Sequence, residues 1–335
     1  MAIKRAELND ILVFKGEFTT EFYPGVNILI GSNGTGKTTL LKTMYGSING
    51  KLEKCFYLPE EKDTVVFKKS NTRIFFDDGT CTDFQQEYYN ESTGIPKNST
   101  SGTSISLQAT LRKKKDIQSV FIPEKDMLSH SFGFLALKHE RPMIPFDDTL
   151  TDIIAKAQLY PKEGTLSNPL CATIRDIIGG EVVYDNDTFI IIKDKDKAHV
   201  PFPIEASGYR KLGLLWKLIR NGFLEPGAIL FWDEPENSLN PELVPLLVDI
   251  LLELAQSEVQ VFIATHDYYL ARYFDVRKNK SVPVMFHNLS KTDDGQIVCN
   301  SSAEYVKISN NHLESASADL FRAVVADAME VADDE

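Results

Sequence analysis

Apolar and polar positions alternate along this chain in two distinct ways. Toward the N-terminus, short apolar runs bounded by turn residues predict strands. Ile11-Leu12-Val13-Phe14, Gly16 to Phe22 and Val26-Asn27-Ile28-Leu29-Ile30 read as three of them, with Pro24-Gly25 as the turn before the third. Thr64-Val65-Val66-Phe67 and Thr72-Arg73-Ile74-Phe75-Phe76 continue the series, the latter closed by the turn Asp77-Asp78-Gly79. Ser119-Val120-Phe121-Ile122 reads as a strand stopped by Pro123, and residues 90–104, rich in Ser, Thr, Asn and Gly, as an exposed loop.

Elsewhere the period is helical. Leu40, Leu41, Met44 and Tyr45 predict a helix that ends at Gly46. Asp147-Asp148-Thr149 caps a helix carrying Leu150, Ile153, Ile154 and Ala157, and a second runs from Pro169 to Ile178. Val182 to Tyr184 and Phe189 to Ile192 flank Asp185-Asn186-Asp187 as a hairpin. Helix Tyr209 to Arg220 precedes strand Ala228 to Trp232. Asn240-Pro241 then opens a helix whose core face is Leu243, Leu246, Leu247, Ile250, Leu251 and Leu254, and strand Val259 to Thr265 follows. A last helix is predicted from Ala318 to Val331, capped by Ser317. Strands alternating with helices predict an α/β fold. No internal repeat and no long heptad run is present.

Composition narrows the class. With 335 residues, 43% hydrophobic and 25% charged, the chain suits one large globular domain or two modest ones. No apolar run is long enough to span a bilayer, and the first residues lack a signal-peptide core, so a cytoplasmic location without membrane contact is expected. The four cysteines form no C-x-x-C pair, which points away from zinc and disulfides and toward a reducing compartment. A net charge of −12 argues against broad nucleic-acid affinity. The run Lys113-Lys114-Lys115 reads as a solvated face and, in a minority reading, as a nucleic-acid contact.

The most specific chemistry lies in Gly31-Ser32-Asn33-Gly34-Thr35-Gly36-Lys37-Thr38-Thr39, between a predicted strand and a predicted helix. This is the G-x-x-x-x-G-K-[ST] spacing of a phosphate-binding loop. Glycines let successive N–H groups turn toward one anion, and the helix N-terminus adds positive potential. Lys37 reaches the β- and γ-phosphates of a nucleotide, and the Thr38 hydroxyl suits Mg²⁺.

A second stretch, Ala228 to Pro235, is an apolar strand ending in Asp233 and Glu234. Adjacent acids at a buried strand end are costly unless they hold metal or do chemistry. Asp233 is the expected Mg²⁺ ligand and Glu234 the expected base or water-orienting group. Ser207-Gly208, just before a helix, forms a second anion-binding corner, and His266 after the 259–265 strand is a candidate γ-phosphate donor.

Phosphate loop, insertion, Ser207-Gly208, Asp233-Glu234, Ser238-Leu239-Asn240-Pro241 and His266 occur in the order seen in ABC-type ATPase heads, which the chain resembles from about residue 8 to 270. The 233–241 segment is similar to the chromosome-maintenance, RecF and OLD branch, not to transporter cassettes. Ala206-Ser207-Gly208-Tyr209-Arg210 departs from the usual L-S-G-G-Q. Glu124, after Phe121-Ile122-Pro123, stands where the family carries a glutamine, and as an acid it suits a metal.

The resemblance implies a P-loop NTPase with an N-terminal β-subdomain. Residues 1–50 and 206–300 would form the nucleotide core, 51–205 an inserted β and helical lobe, and 301–335 a helical tail of a single domain. It implies ATP and Mg²⁺ as ligands, and an ATP-dependent homodimer in which Ser207 and Gly208 act on the nucleotide of the opposing subunit. With no long coiled coil, the chain resembles compact ATPases of bacterial anti-phage and toxin–antitoxin loci. That implies a separate effector protein as partner; a RecF-like DNA-repair ATPase that binds nucleic acid is the alternative, and a transporter motor is less favoured.

Overall fold

The computed structural model describes residues 1–56, 69–87, 106–108, 117–140, 146–165 and 168–333. The chain opens with strands β1 (Ile3–Ile11), β2 (Phe14–Glu21) and β3 (Val26–Ile30), then helix α1 (Lys37–Asn49). Strands β4 (Lys69–Phe76), β5 (Cys81–Glu87), β6 (Ser106–Gln108) and β7 (Ser119–Ile122) follow. Helices α2 (Phe134–Glu140), α3 (Asp148–Gln158) and α4 (Pro169–Ile178) lead into β8 (Gly180–Asp185), β9 (Thr188–Lys193) and β10 (His199–Pro201). The remainder is α5 (Ser207–Arg220), β11 (Ile229–Asp233), α6 (Val244–Gln256), β12 (Gln260–Ala264), α7 (Tyr268–Arg277), β13 (Val284–Lys291), β14 (Ile297–Ser302) and α8 (His312–Asp333).

Three sheets result. The central one has the order β14-β13-β3-β12-β11-β7, parallel from β13 to β7, with β14 antiparallel at its edge. An antiparallel sheet of order β2-β1-β4-β5-β6 lies beside it, and β10-β9-β8 forms a small third. Every residue of β3, β7, β11 and β12 is buried, as expected of parallel strands covered on both faces. The faces alternate residue by residue. Ile28, Ile30, Leu230, Trp232 and Ile263 join the core with α5, α6 and α7; Leu29, Phe231 and Phe262 join the core with α1 and the antiparallel sheet. Residues 51–205 are divided among these layers: β4 pairs with β1, β7 pairs with β11, and α4 packs on α5.

Several expected elements form where the sequence places them, including the hairpin turned by Asn186 and Asp187 at φ 47° and 60°. Asp147 and Asn168 cap α3 and α4 by accepting from Thr149 N and Leu170 N. Others differ. Ile11 to Phe14 is not a strand: β1 begins at Ile3, and Leu12 and Val13 turn the chain, with Asp10 and Leu12 at φ 52° and 50°. Only one face of β1 is buried, and the charges at Lys4, Arg5 and Glu7 break up its apolar pattern.

α1 does not stop at Gly46 but runs to Asn49, where Gly50 closes it at φ 66°. Gly46 serves packing, since a Cβ there would lie 2.7 Å from Leu52 Cα. α5 begins at Ser207, earlier than Tyr209. α8 begins at His312, not Ala318: Asn311 Oδ1 accepts from Leu313 N and Glu314 N, and Ser317 lies inside the helix. The expected strand Thr64 to Phe67, the 90–104 loop and Lys113 to Lys115 lie outside the described residues. Among the described residues no helix is long and apolar enough to cross a membrane.

Candidate functional site

β3 delivers the chain to the loop and α1 carries it away. Gly31 has φ 140°, and a Cβ there would sit 2.2 Å from Leu289 O on β13. Gly36, at φ 90°, lies under the β1–β2 turn, where a Cβ would meet Val13 Cγ2 at 2.7 Å and Phe14 Cζ at 2.8 Å. No other residue type fits either place. Thr35 Oγ1 donates to Ser32 O at 2.8 Å and closes the loop from within. Ser32, Asn33, Gly34 and Thr38 are exposed, and Thr39 is half-buried.

Lys37 is only 8% exposed. Its Nζ folds back to donate to Gly31 O at 2.7 Å and Ser32 O at 3.2 Å. Burial pushes its pKa down, against the pull of Glu234, Asp233 and Glu236. An ammonium held on two carbonyls at the mouth of the loop can be transferred to an arriving phosphate oxygen without being rebuilt.

The acids come to the loop because β12 lies beside β3 and β11 beside β12, all parallel and ending on the same side. Ligand sites in open α/β sheets form at such strand ends. Thr38 Oγ1 donates to Asp233 Oδ1 at 3.0 Å. Burial raises the Asp233 pKa to about 6, opposed by that hydrogen bond and reinforced by the Glu234 charge.

Glu234 takes a left-handed backbone, φ 48°, and its N–H donates to Ala264 O at 2.9 Å. Its Oε1 lies 3.1 Å from His266 Nδ1. His266, expected to face a phosphate, is thus the partner of the acid as well. Glu124, at the end of β7, accepts from Asn237 Nδ2 at 2.7 Å and adds to the field that raises Asp233.

Ser207 and Gly208 are not drawn to the loop. They open α5 against the 238–243 segment, where Ser207 Oγ donates to Ser238 O at 2.7 Å and Gly208 faces Leu239 and Leu243. Two further residues at the site, Glu236 within the 233–241 segment and Lys211 on α5, are given no role by the sequence reading. Glu236, its pKa raised by burial, accepts from Thr265 Oγ1 at 2.5 Å. Lys211 Nζ donates to Glu234 O at 3.0 Å and Pro235 O at 3.3 Å. Lys211 lies one helical turn from Ser207, so its position on the signature-like helix was the only available hint.

Among the described residues no three His, Cys, Asp or Glu side chains converge as a ready cation cage. The oxygens gathered at the loop are one hydroxyl, Thr38, and one carboxylate, Asp233. That set fits Mg²⁺, which takes one or two protein oxygens and completes its shell with phosphate and water.

A model of the family described as "AAA domain, putative AbiEii toxin, Type IV TA system" matches residues 52–272, a span that holds Ser207, Asp233, Glu234 and His266. A comparison with curated proteins finds no match. Among solved structures, the SmcHead bound to the C-winged helix domain of ScpA is similar, at 14% identity and TM-score 0.58, over 90% of this chain and 98% of that one. The SMC head domain of Thermotoga maritima matches at 14% identity and TM-score 0.51, over 90% and 99% of the two chains. The Pyrococcus furiosus Smc head with an extended coiled coil, bound to the C-terminal domain of ScpA, matches at 14% identity and TM-score 0.54, over 96% and 99%. The fold is that of an ABC-type ATPase head.

Proposed function

The chain belongs to the AAA-domain family described as putative AbiEii toxin, Type IV TA system, and from that premise we propose that it is a Mg²⁺-dependent ATPase that works as an ATP-sandwich dimer. The observation that carries this reading is the meeting of Thr38 with Asp233, and of Glu234 with His266, at the ends of adjacent parallel strands around the loop.

In this reading the loop amides from Gly31 to Thr39 and the Lys37 ammonium bind the β- and γ-phosphates. Thr38 and Asp233 hold the Mg²⁺, which supplies charge neutralisation and phosphate geometry; Glu124 stands nearby as a further candidate ligand. Glu234 orients the attacking water and accepts its proton, and His266 holds the Glu234 carboxylate in place. Ser207 and Gly208 of a second copy cover the open side of the nucleotide, exclude water and present a helix N-terminus to the γ-phosphate.

The setting is toxin–antitoxin control, which the family's description supports, or anti-phage control; the partner is a separate effector protein and the location the cytoplasm. Glu234→Gln keeps the shape of the acid and removes the base. ATP turnover should fall about 10²–10⁴-fold, and the dimer should accumulate with ATP in light scattering. Turnover at the wild-type rate would overturn the reading.

A further inference from the structure

The turn between β11 and α6 contains two non-glycine residues with left-handed backbone, Glu234 at φ 48° and Ser238 at φ 59°. Such conformations persist only where neighbouring contacts fix them. The Glu234 main chain is held in part by its neighbours, its N–H donating to Ala264 O at 2.9 Å and its carbonyl accepting from Asn237 N at 3.1 Å; in both cases α5 adds a side-chain donor to the carbonyl of the left-handed residue itself. Lys211 Nζ donates to Glu234 O at 3.0 Å, and Ser207 Oγ donates to Ser238 O at 2.7 Å. Ser207 and Lys211 are one helical turn apart and share a face. Between them Gly208 lets the helix seat closely: a Cβ there would lie 3.1 Å from Leu243 Cδ1 and 3.2 Å from Leu239 Cδ1.

Lys211 is unusual in what it bonds. Glu236, Glu124, Glu234 and Asp126 surround it, and burial still lowers its pKa to about 8. Yet its hydrogen bonds go to the carbonyls of Glu234 and Pro235. A half-buried ammonium fixed on main chain sets backbone geometry, whereas one paired with a carboxylate mainly sets charge. The backbone it sets belongs to the residue whose carboxylate meets His266 Nδ1 at 3.1 Å.

We propose that Lys211 is a positioning residue for ATP hydrolysis: through the Glu234 carbonyl it holds the left-handed backbone that aims the Glu234 carboxylate. With Ser207 it forms a two-point clasp that ties the start of α5 to the hydrolytic turn. This rests on the reading of Glu234 as the water-activating acid. A consequence is that an anion bound at the α5 N-terminus of one subunit bears on the hydrolytic acid of that same subunit.

Lys211→Met keeps the length of the side chain and removes the donor; Lys211→Arg restores a donor. The expected result is a kcat at least tenfold lower for Lys211→Met, with Mg-ATP affinity by calorimetry within about twofold of wild type, since Lys37 and its loop are untouched. Lys211→Arg should recover most of the loss. In a Glu234→Gln background, Lys211→Met should lower residual turnover no further. Wild-type kcat in Lys211→Met, equal losses in kcat and affinity, or a further loss in the Glu234→Gln background would overturn the proposal. If Lys211→Met does not fold, Lys211→Gln is read by the same criteria. Full turnover in Glu234→Gln alone would instead remove Glu234 from the hydrolytic role.

Discussion

Two glycine-bearing helix starts face the chemistry of this molecule, and they are built in opposite ways. At the start of α1 the loop is complete. Its glycines are fixed by β13 and by the β1–β2 turn, and its lysine rests on its own carbonyls. At the start of α5 no side chain caps the helix. Ala206 stands at the capping position, where alanine offers no side-chain acceptor, and Ile204 beside it is 76% exposed. The Ser207 hydroxyl there looks back into its own subunit, donating to Ser238 O. One corner is a finished half of a site. The other is shaped to receive something, which is what the proposed sandwich requires.

The sharpest break in this contrast is on the finished side. Lys37→Ala removes the charge on the phosphates and should weaken Mg-ATP binding about 10- to 100-fold, from about 1.5–3 kcal/mol for a charged hydrogen-bond donor, measured by calorimetry. Unchanged affinity would mean the loop does not hold the phosphates.

Ser207→Arg tests the open side. It places bulk and charge at the α5 corner, so ATP-dependent association in light scattering should be lost while affinity of the single chain stays within about twofold. Association equal to wild type would show that the corner faces no second copy.

A smaller effect separates the two sides by pH. His287 on β13 is buried, with Nε2 3.2 Å from Asn27 Oδ1 of β3 and Nδ1 2.7 Å from Ser301 Oγ. Burial lowers its pKa from 6.5 to about 3. The unfolded chain therefore binds a proton that the folded chain refuses. This part of the stability is complete above pH 6.5 and is lost as pH falls toward 3, by about 1 kcal/mol between pH 6.5 and 5.5. Urea midpoints across that interval should show the slope, and His287→Gln should flatten it. An unflattened slope would assign the proton elsewhere.

Smallest is Asn240→Ala. Asn240 Oδ1 accepts from Glu242 N at 3.2 Å, a cap worth about 0.5–1 kcal/mol. The thermal midpoint should fall slightly and the calorimetric affinity for Mg-ATP should not change. A drop in affinity would mean that the turn beyond Ser238 reaches the finished corner.

The motif-bearing parts of the site were legible because their chemistry is local. A glycine loop between strand and helix, and an acid pair at a strand end, state their purpose within a few residues. What escaped is made by packing. Glu236 and Lys211 acquire their environment only when α5, β11 and β12 come together. β13 hid because Val284 to Lys291 carries polar His287 and Asn288 among its apolar residues. Both polar side chains are buried on partners, Asn288 Nδ2 donating to Ser309 O and Asn310 O. α8 starts ahead of the place its sequence suggests because Asn311, not Ser317, supplies its first acceptor. In the same way β1 was missed because its outward charges interrupt the apolar alternation.

The strand order has a consequence for how the chain is made. Val26 of β3 is aligned with Val261 on one side and Val284 on the other. The strand that carries the phosphate loop therefore finds both its neighbours near the far end of the polypeptide, and Gly31 leans on Leu289, farther still. At a synthesis rate of roughly 5–20 residues per second, the loop sequence leaves the ribosome many seconds before either strand that pairs with β3 exists. Contacts so distant in sequence also make for slow closure in a chain refolding from denaturant. A nascent chain interrupted before β12 would contain every residue of the loop and neither of the strands that pair with β3.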